Sequence, residues 1–418
     1  MITLRPYQQV AADRLRHLLL SDSWAYLIGE VRTGKTLTAL EVARQLHACP
    51  VLVLTKKKAI ASIERDVDSL GLEGVTVTNF EQAHKMGDRC WNLLILDEAH
   101  CCGSYPRPSL RFRQISHLLY QRCLLMSGTP SPESLSQLYH QIRIATTTFW
   151  PQANFYRWSA AGYVSVTTKR IGNGQEANDY SAANAERILA ELEPHVVRIT
   201  QADAGFACRI IEQDHYVRMS PLTYQIMRAV SRDGIYGTYG DEVVILADGA
   251  AQQMAKLRQL ASGTCITADG DGIILDRSKA RWIQERFGNG GRLAILYCYQ
   301  AEGQMLRQMW GAAATDSPER FAEDLSSVFI GQVMASREGV NLSPADDLVF
   351  LGVDYSALSY LQGRDRASAV GRSVPPRVHW VLAADSLERE VIDRVRRKES
   401  YTAAHYRQAR ERLSGRSH

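Results

Sequence analysis

At 418 residues the chain exceeds one ordinary hydrophobic core, so two or three domains are expected. Hydrophobic residues make up 45% and charged residues 22%, the balance of a soluble globular protein, and no apolar run approaches the ~20 residues needed to span a bilayer. The eight cysteines form no C-x-x-C pair, which argues against a zinc ribbon, and the net charge of +4 is compatible with a nucleic-acid partner without requiring one.

The first informative stretch is Gly29-Glu30-Val31-Arg32-Thr33-Gly34-Lys35-Thr36. It fits the phosphate-loop pattern G-x-x-x-x-G-K-[ST]. Backbone N–H groups of such a loop surround a phosphate chain, the lysine supplies a point charge, and the hydroxyl holds Mg²⁺. The flanks suit it. Residues 24–29 are an apolar run fit for a strand, and Leu37, Leu40, Val42, Ala43 and Leu46 recur at helical spacing. A helix starting there turns its positive end toward the phosphates. Gly29, Thr33, Gly34, Lys35 and Thr36 are therefore candidate ATP-binding residues, with Thr36 also a metal ligand.

The strand-like run Val51–Thr55 is followed by Lys56, Lys57 and Lys58, which suit nucleic-acid phosphates or, equally simply, a solvated surface loop. Leu93–Leu96 reads as a buried parallel strand and ends in Asp97-Glu98. Two carboxylates at a strand's C-terminal end fit a site at the mouth of an α/β sheet. Asp97 is expected to hold Mg²⁺, and Glu98 to orient and deprotonate a water, since phosphoryl transfer needs little beyond positioning and charge compensation. His100 is expected to bond across the site, not to ligate a metal. A further apolar strand ends in Ser127-Gly128-Thr129-Pro130, whose hydroxyls can bond a neighbouring carboxylate and sense its state. The aromatics Phe149, Trp150, Phe155, Tyr156, Trp158 and Tyr163 read as packing, with base stacking as the alternative. Arg107, Arg111 and Arg113, and the arginines near the C-terminus, are either a nucleic-acid surface or a solvated helix face.

Phosphate loop, Asp97-Glu98-Ala99-His100 and Ser127-Gly128-Thr129-Pro130, in that order, resemble motifs I, II and III of superfamily 2 helicases, and the following blocks point to the Swi/Snf-like branch. Residues 4–8 resemble the adenine-contacting segment, with Gln8 as the reading residue. Residues 192–205 resemble the segment closing an insertion of the first lobe, and 215–230, 257–263 and 278–287 the passage into the second. Residues 336–342 resemble motif V, whose Gly339 turns beside nucleotide and DNA. Residues 362–369 resemble motif VI, with Gln362 coupling and Arg366 as an arginine finger. The family's second arginine of motif VI is replaced by Ala369, and Arg364 or Arg372 is its candidate substitute.

The resemblance implies an α/β protein of two RecA-like lobes, each a parallel sheet flanked by helices, with a mainly helical insertion between them. The expected divisions are 1–150 for lobe one, 151–270 for the insertion and 271–418 for lobe two. It also implies ATP and Mg²⁺ as cofactors and DNA as partner in place of RNA. The expected activity is a DNA helicase or translocase acting on duplex, forked or branched DNA in replication, recombination or repair; an RNA helicase or a non-motor ATP-binding partner are the alternatives. A monomer in the cytoplasm is expected, in the host's cytoplasm if a bacteriophage encodes it.

Overall fold

In the computed structural model, the described residues are 3–170, 176–205, 210–237, 244–247, 249–288, 291–333, 340, 342–353, 363–364 and 374–397. They form two compact units that divide after Gly205.

The first unit is built on six parallel strands: β1 (Trp24–Gly29), β2 (Val51–Thr55), β3 (Val75–Asn79), β4 (Leu93–Leu96), β5 (Cys123–Ser127) and β6 (Val196–Ile199). Their order is β6-β1-β5-β4-β2-β3. Alternation along each strand splits the core in two. Trp24, Tyr26, Leu52, Leu54, Leu94, Leu96, Cys123 and Leu125 face one layer, and Ala25, Leu27, Val51, Val53, Leu93, Ile95, Leu124 and Met126 face the other. Helices α1 (Pro6–Ser21), α2 (Lys35–Gln45) and α3 (Ile60–Leu70) cover the second layer. The first is covered by α4 (Leu138–Ala145) and by the aromatic group. Trp150, Phe155, Trp158 and Tyr163 are buried there in edge and stacked contacts, and Glu191 accepts hydrogen bonds from Trp150 Nε1 and the Tyr163 hydroxyl. These rings are core; Tyr156 alone of the six is exposed.

The second unit repeats the plan with β7 (Ile211–Val217), β8 (Leu293–Tyr297), β9 (Ala314–Thr315), β10 (Val328–Gln332), β11 (Asp347–Phe350) and β12 (Arg377–Ala383), all parallel, in the order β7-β12-β11-β8-β10-β9. Its buried ion pair joins Lys279 Nζ to Glu388 Oε2 at 2.6 Å. Among the described residues no helix is long and apolar enough to cross a membrane.

The segment 151–270, expected as a mainly helical insertion, carries the helices Ala185–Leu192, Pro221–Asp233 and Ala250–Ala261 and also short strands. The segment supplies β6 to the first sheet, β7 to the second, two antiparallel pairings, Thr167–Arg170 with Glu176–Asp179 and Ile235–Tyr236 with Ile245–Leu246, and one strand, Thr264–Ile266, of a third with Gly272–Ile274. The physical reason is that β1 and β12 each have an edge to be paired, and short strands drawn from the segment satisfy those backbone groups. Residues 151–205 thus belong to the first unit, and the second begins well before residue 271.

Candidate active site

The parallel register puts four strand ends side by side: Ile28 opposite Ser127, Leu96 opposite Leu125, and Leu54 opposite Leu96. The residues that follow these ends are the site.

After β1 the chain turns through residues 30–34 into α2. Gly34, at the head of α2, has φ +74°, a left-handed conformation that favours glycine. A Cβ there would lie 2.2 Å from Gln8 Nε2, and one on Gly29 would lie 2.5 Å from Lys35 Cγ, so both glycines make room for functional side chains. Lys35 Nζ donates to Gly29 O at 2.8 Å and Glu30 O at 3.2 Å. Thr33 is buried and its hydroxyl donates to Glu30 O at 2.8 Å. Thr36 is half-buried in the first turn of α2. Gln8 spends its amide locally: Oε1 accepts from Arg5 N at 2.9 Å, and Nε2 donates to Gly34 O at 3.3 Å. Reading an adenine would require exchanging those bonds. The loop is also braced from the far end of the unit. Glu30 N donates to Ile199 O, Gln201 N to Glu30 Oε2 and Gln201 Nε2 to Val31 O.

At the end of β4, Thr55 Oγ1 donates to Asp97 Oδ2 at 2.7 Å. Burial, with the neighbouring Glu98 charge, pushes the Asp97 carboxyl up to about 6. Glu98 has φ +52°, a backbone conformation strained for a residue with a side chain. It brings the carboxylate to His100: Glu98 Oε2 lies 3.1 Å from His100 Nδ1. The same Nδ1 lies 2.9 Å from Ser127 Oγ, which accepts from Thr129 N at 3.1 Å. With the ring N–H assigned toward Ser127, Glu98 Oε2 is paired by charge yet remains a buried acceptor with no aligned donor. Burial alone would raise the Glu98 carboxyl, but His100, then Lys35 and Lys56, outweigh it and hold it at about 2. Burial opposes the His100 imidazolium too; contacts with Cys101 and Glu98 overcome it and raise the ring to about 9. Gly128 lies over the loop, where a Cβ would meet Gly29 O at 3.2 Å and Lys35 Nζ at 3.5 Å.

Lys35, Asp97, Glu98, His100, Ser127, Gly128 and Thr129 are therefore gathered at one edge of the first sheet. Of the three lysines after β2, Lys57 and Lys58 are exposed, while the charge of Lys56 acts on Glu98. Arg111 pairs with Glu81. Arg364 pairs with Glu212 at 3.5 Å, and Arg396 with Asp214 at 2.6 Å. Gly339, Gln362, Arg366 and Arg372 lie outside the described residues. Sequence reasoning missed Thr55, the hydroxyl that ends β2 beside Asp97, although the parallel pairing of two neighbouring strand ends was the available signal. It also missed the brace at 199–201, which pairs residues about 170 positions apart.

The donor set suits Mg²⁺. Asp97 and Thr36 would supply hard oxygens, and one or two such protein ligands are usual for an ion that keeps most of its waters. Among the described residues no cluster of three His, Cys, Asp or Glu side chains could hold a metal by itself.

No family model matches the chain. Among known proteins it is similar to the ATP-dependent DNA helicase DDM1 of Arabidopsis thaliana, 22% identical over 362 residues, covering 77% of this chain and 47% of the relative. It is also similar to the ISWI chromatin-remodeling complex ATPase ISW1 of Saccharomyces cerevisiae, 20% identical, covering 94% of this chain and 40% of the relative. The chain is similar to ATPases and helicases of the Swi2/Snf2 type. It spans less than half the length of these Swi2/Snf2-type relatives. Among solved structures, the Sulfolobus solfataricus SWI2/SNF2 ATPase core in complex with dsDNA matches 94% of this chain and 91% of its own, at 15% identity and a TM-score of 0.44.

Proposed function

We propose that this chain is a DNA-dependent ATPase that moves on, or remodels, duplex, forked or branched DNA, acting as a monomer in replication, recombination or repair. The observation that carries the reading is the buried Glu98 carboxylate, beside Asp97, 3.1 Å from His100 Nδ1 and within the field of Lys35.

In this reading Glu98 accepts the proton of the attacking water, and Oε2 has the capacity for it. His100 keeps Glu98 ionised, so the base is ready at neutral pH. Lys35 exchanges the Gly29 and Glu30 carbonyls for phosphate oxygens and carries positive charge to them. Asp97, steadied by Thr55, and Thr36 would hold Mg²⁺, which would screen the charge of the phosphates. Gln8 contacts the adenine, Arg366 supplies the second cation, Gln362 and Gly339 couple the nucleotide to nucleic acid, and Lys57 and Lys58 contact backbone phosphates. The relatives named as a DNA helicase and a chromatin-remodeling ATPase favour DNA over RNA as the stimulating polymer.

The test is steady-state ATP hydrolysis with single-stranded, duplex, forked and four-way DNA and with RNA, with Lys35→Ala as the control. Stimulation by duplex or branched DNA, lost in the Lys35→Ala protein, is expected. Stimulation by RNA alone would replace the DNA reading, and undiminished turnover in folded Lys35→Ala would end the ATPase reading.

A further inference from the structure

One polar path in the first unit is not used by this chemistry. Tyr26, in the middle of β1, is fully buried, yet its neighbours Ala25 and Leu27 are purely apolar. It stands opposite Leu125, one diagonal step from Ser127 on the same face of the sheet, a span that an aromatic side chain covers. The Tyr26 hydroxyl donates to Gln141 Oε1 at 2.6 Å. Gln141, completely buried in α4, uses both amide hydrogens: Nε2 donates to Pro130 O at 2.7 Å and to Gln137 O at 3.0 Å. Gln137 Oε1 in turn accepts from Glu133 N at 3.1 Å.

Tyr26 donates to Gln141, and Gln141 donates to the Pro130 carbonyl. Bonds aligned head to tail polarise one another, and in a dry interior the strengthening is greatest. Ser127 Oγ, 2.9 Å from His100 Nδ1, holds Thr129 N. The segment 128–133 is thus tied at Thr129 to Ser127, at Pro130 to Gln141 and at Glu133 to Gln137. Gly128 in that segment lies against Lys35 Nζ. A buried Gln whose every polar atom is used also has little freedom to shift, since any displacement leaves a polar group unpaired.

We propose that Tyr26 and Gln141 are positioning residues for ATP hydrolysis: together they fix the 128–133 segment against His100 and Lys35, so that Glu98 and the lysine hold their working places. This rests on the ATPase reading above. Neither residue touches the reacting atoms.

The test compares wild type with Tyr26→Phe, Gln141→Leu and the double variant, measuring thermal unfolding, kcat and KM for ATP. Each single change strands a buried partner and should lower the melting temperature. The double change removes the Tyr26–Gln141 bond from both ends but still leaves the Pro130 and Gln137 carbonyls without their Gln141 donor, so turnover is compared per folded molecule. A purely structural pair would keep wild-type kcat per folded molecule. A positioning pair would not: kcat per folded molecule should be about tenfold down in the double variant, with KM within about twofold. Wild-type kcat in that variant overturns the proposal and leaves the ATPase reading standing. If wild type itself hydrolyses no ATP with any nucleic acid, both fall together. Should the double variant fail to fold, Tyr26→Phe, which removes a single oxygen, carries the comparison through kcat per folded molecule.

Discussion

The contacts of His100 with Cys101 and Glu98 make stability depend on alkaline pH. His100 is raised from an ordinary 6.5 to about 9, so the folded protein holds the ring proton more tightly than the unfolded chain does. A raised pKa contributes fully below the unfolded value and is lost as pH climbs through the folded one, so the window runs from about pH 6.5 to about pH 9. At about 1.4 kcal/mol per pH unit the rise is worth at most about 3.5 kcal/mol. The lowering of Glu98 to about 2 is the same pair seen from its other partner and is not counted again. With the His100 side chain 5% exposed and Glu98 24%, solvent screening takes only a modest share. His100→Gln keeps a hydrogen-bonding side chain of similar reach and cannot be charged. Urea unfolding of both proteins at half-unit steps from pH 6 to 9.5 isolates the effect, because every other titrating group is shared. Wild type should lose about 2–3 kcal/mol more than the variant across the window. Parallel curves would mean that His100 is neutral when folded, and the account of an ionised Glu98 held by an imidazolium would be wrong.

Glu98→Gln should retain ATP binding and lose hydrolysis by at least about a hundredfold, since an amide cannot accept the water's proton; equilibrium nucleotide binding and single-turnover hydrolysis check it. Gly34→Ala should destabilise the fold by about 1–2 kcal/mol from the left-handed backbone alone and weaken ATP binding, because the new methyl group displaces Gln8; chemical denaturation and the KM for ATP read the two effects. Thr55→Val should raise the Mg²⁺ concentration needed for half-maximal turnover several-fold, by freeing Asp97 from its only side-chain tether among the described residues. Arg366→Ala should lower kcat far more than ATP affinity, since the finger's charge is needed most as the phosphoryl group transfers.

Where local rules govern, the sequence was legible. The strand-loop-helix around Lys35 is encoded by a continuous apolar run, two glycines and a helical repeat, all within about twenty residues, and β1 and α2 form where those signals lie. Asp97 and Glu98 were legible because β4 is a short, wholly apolar strand with charge at one end only. The division of the middle segment was not legible. Val196–Ile199 is a four-residue strand whose place is decided by the open edge of β1, a partner about 170 residues earlier, and no local pattern records such a partner. Tyr26 was overlooked for a related reason: within an apolar strand its ring satisfies the hydrophobic pattern, and its hydroxyl finds a role only through α4, more than a hundred residues on. The lysines after β2 read as one cluster, yet the turn into the next helix sends Lys56 toward Glu98 and leaves Lys57 and Lys58 exposed.

The late arrival of β6 bears on how the protein is born. On a ribosome β1 emerges early, and its inner neighbour β5 follows once Ser127 is made. Its outer neighbour is still about 70 residues away, which at ~5–20 residues per second is a delay of roughly 4–14 seconds. Throughout that interval one flank of β1 offers bare N–H and C=O groups to any passing strand. The loop after it also lacks the ties from Ile199 and Gln201 to Glu30 and Val31. The nascent chain therefore carries the complete phosphate-loop sequence well before it can hold that loop in shape. Under the proposed ATPase reading, nucleotide capture would await the completed first unit, and a chaperone that shields β1 would act at the stage when the chain is most exposed to mispairing.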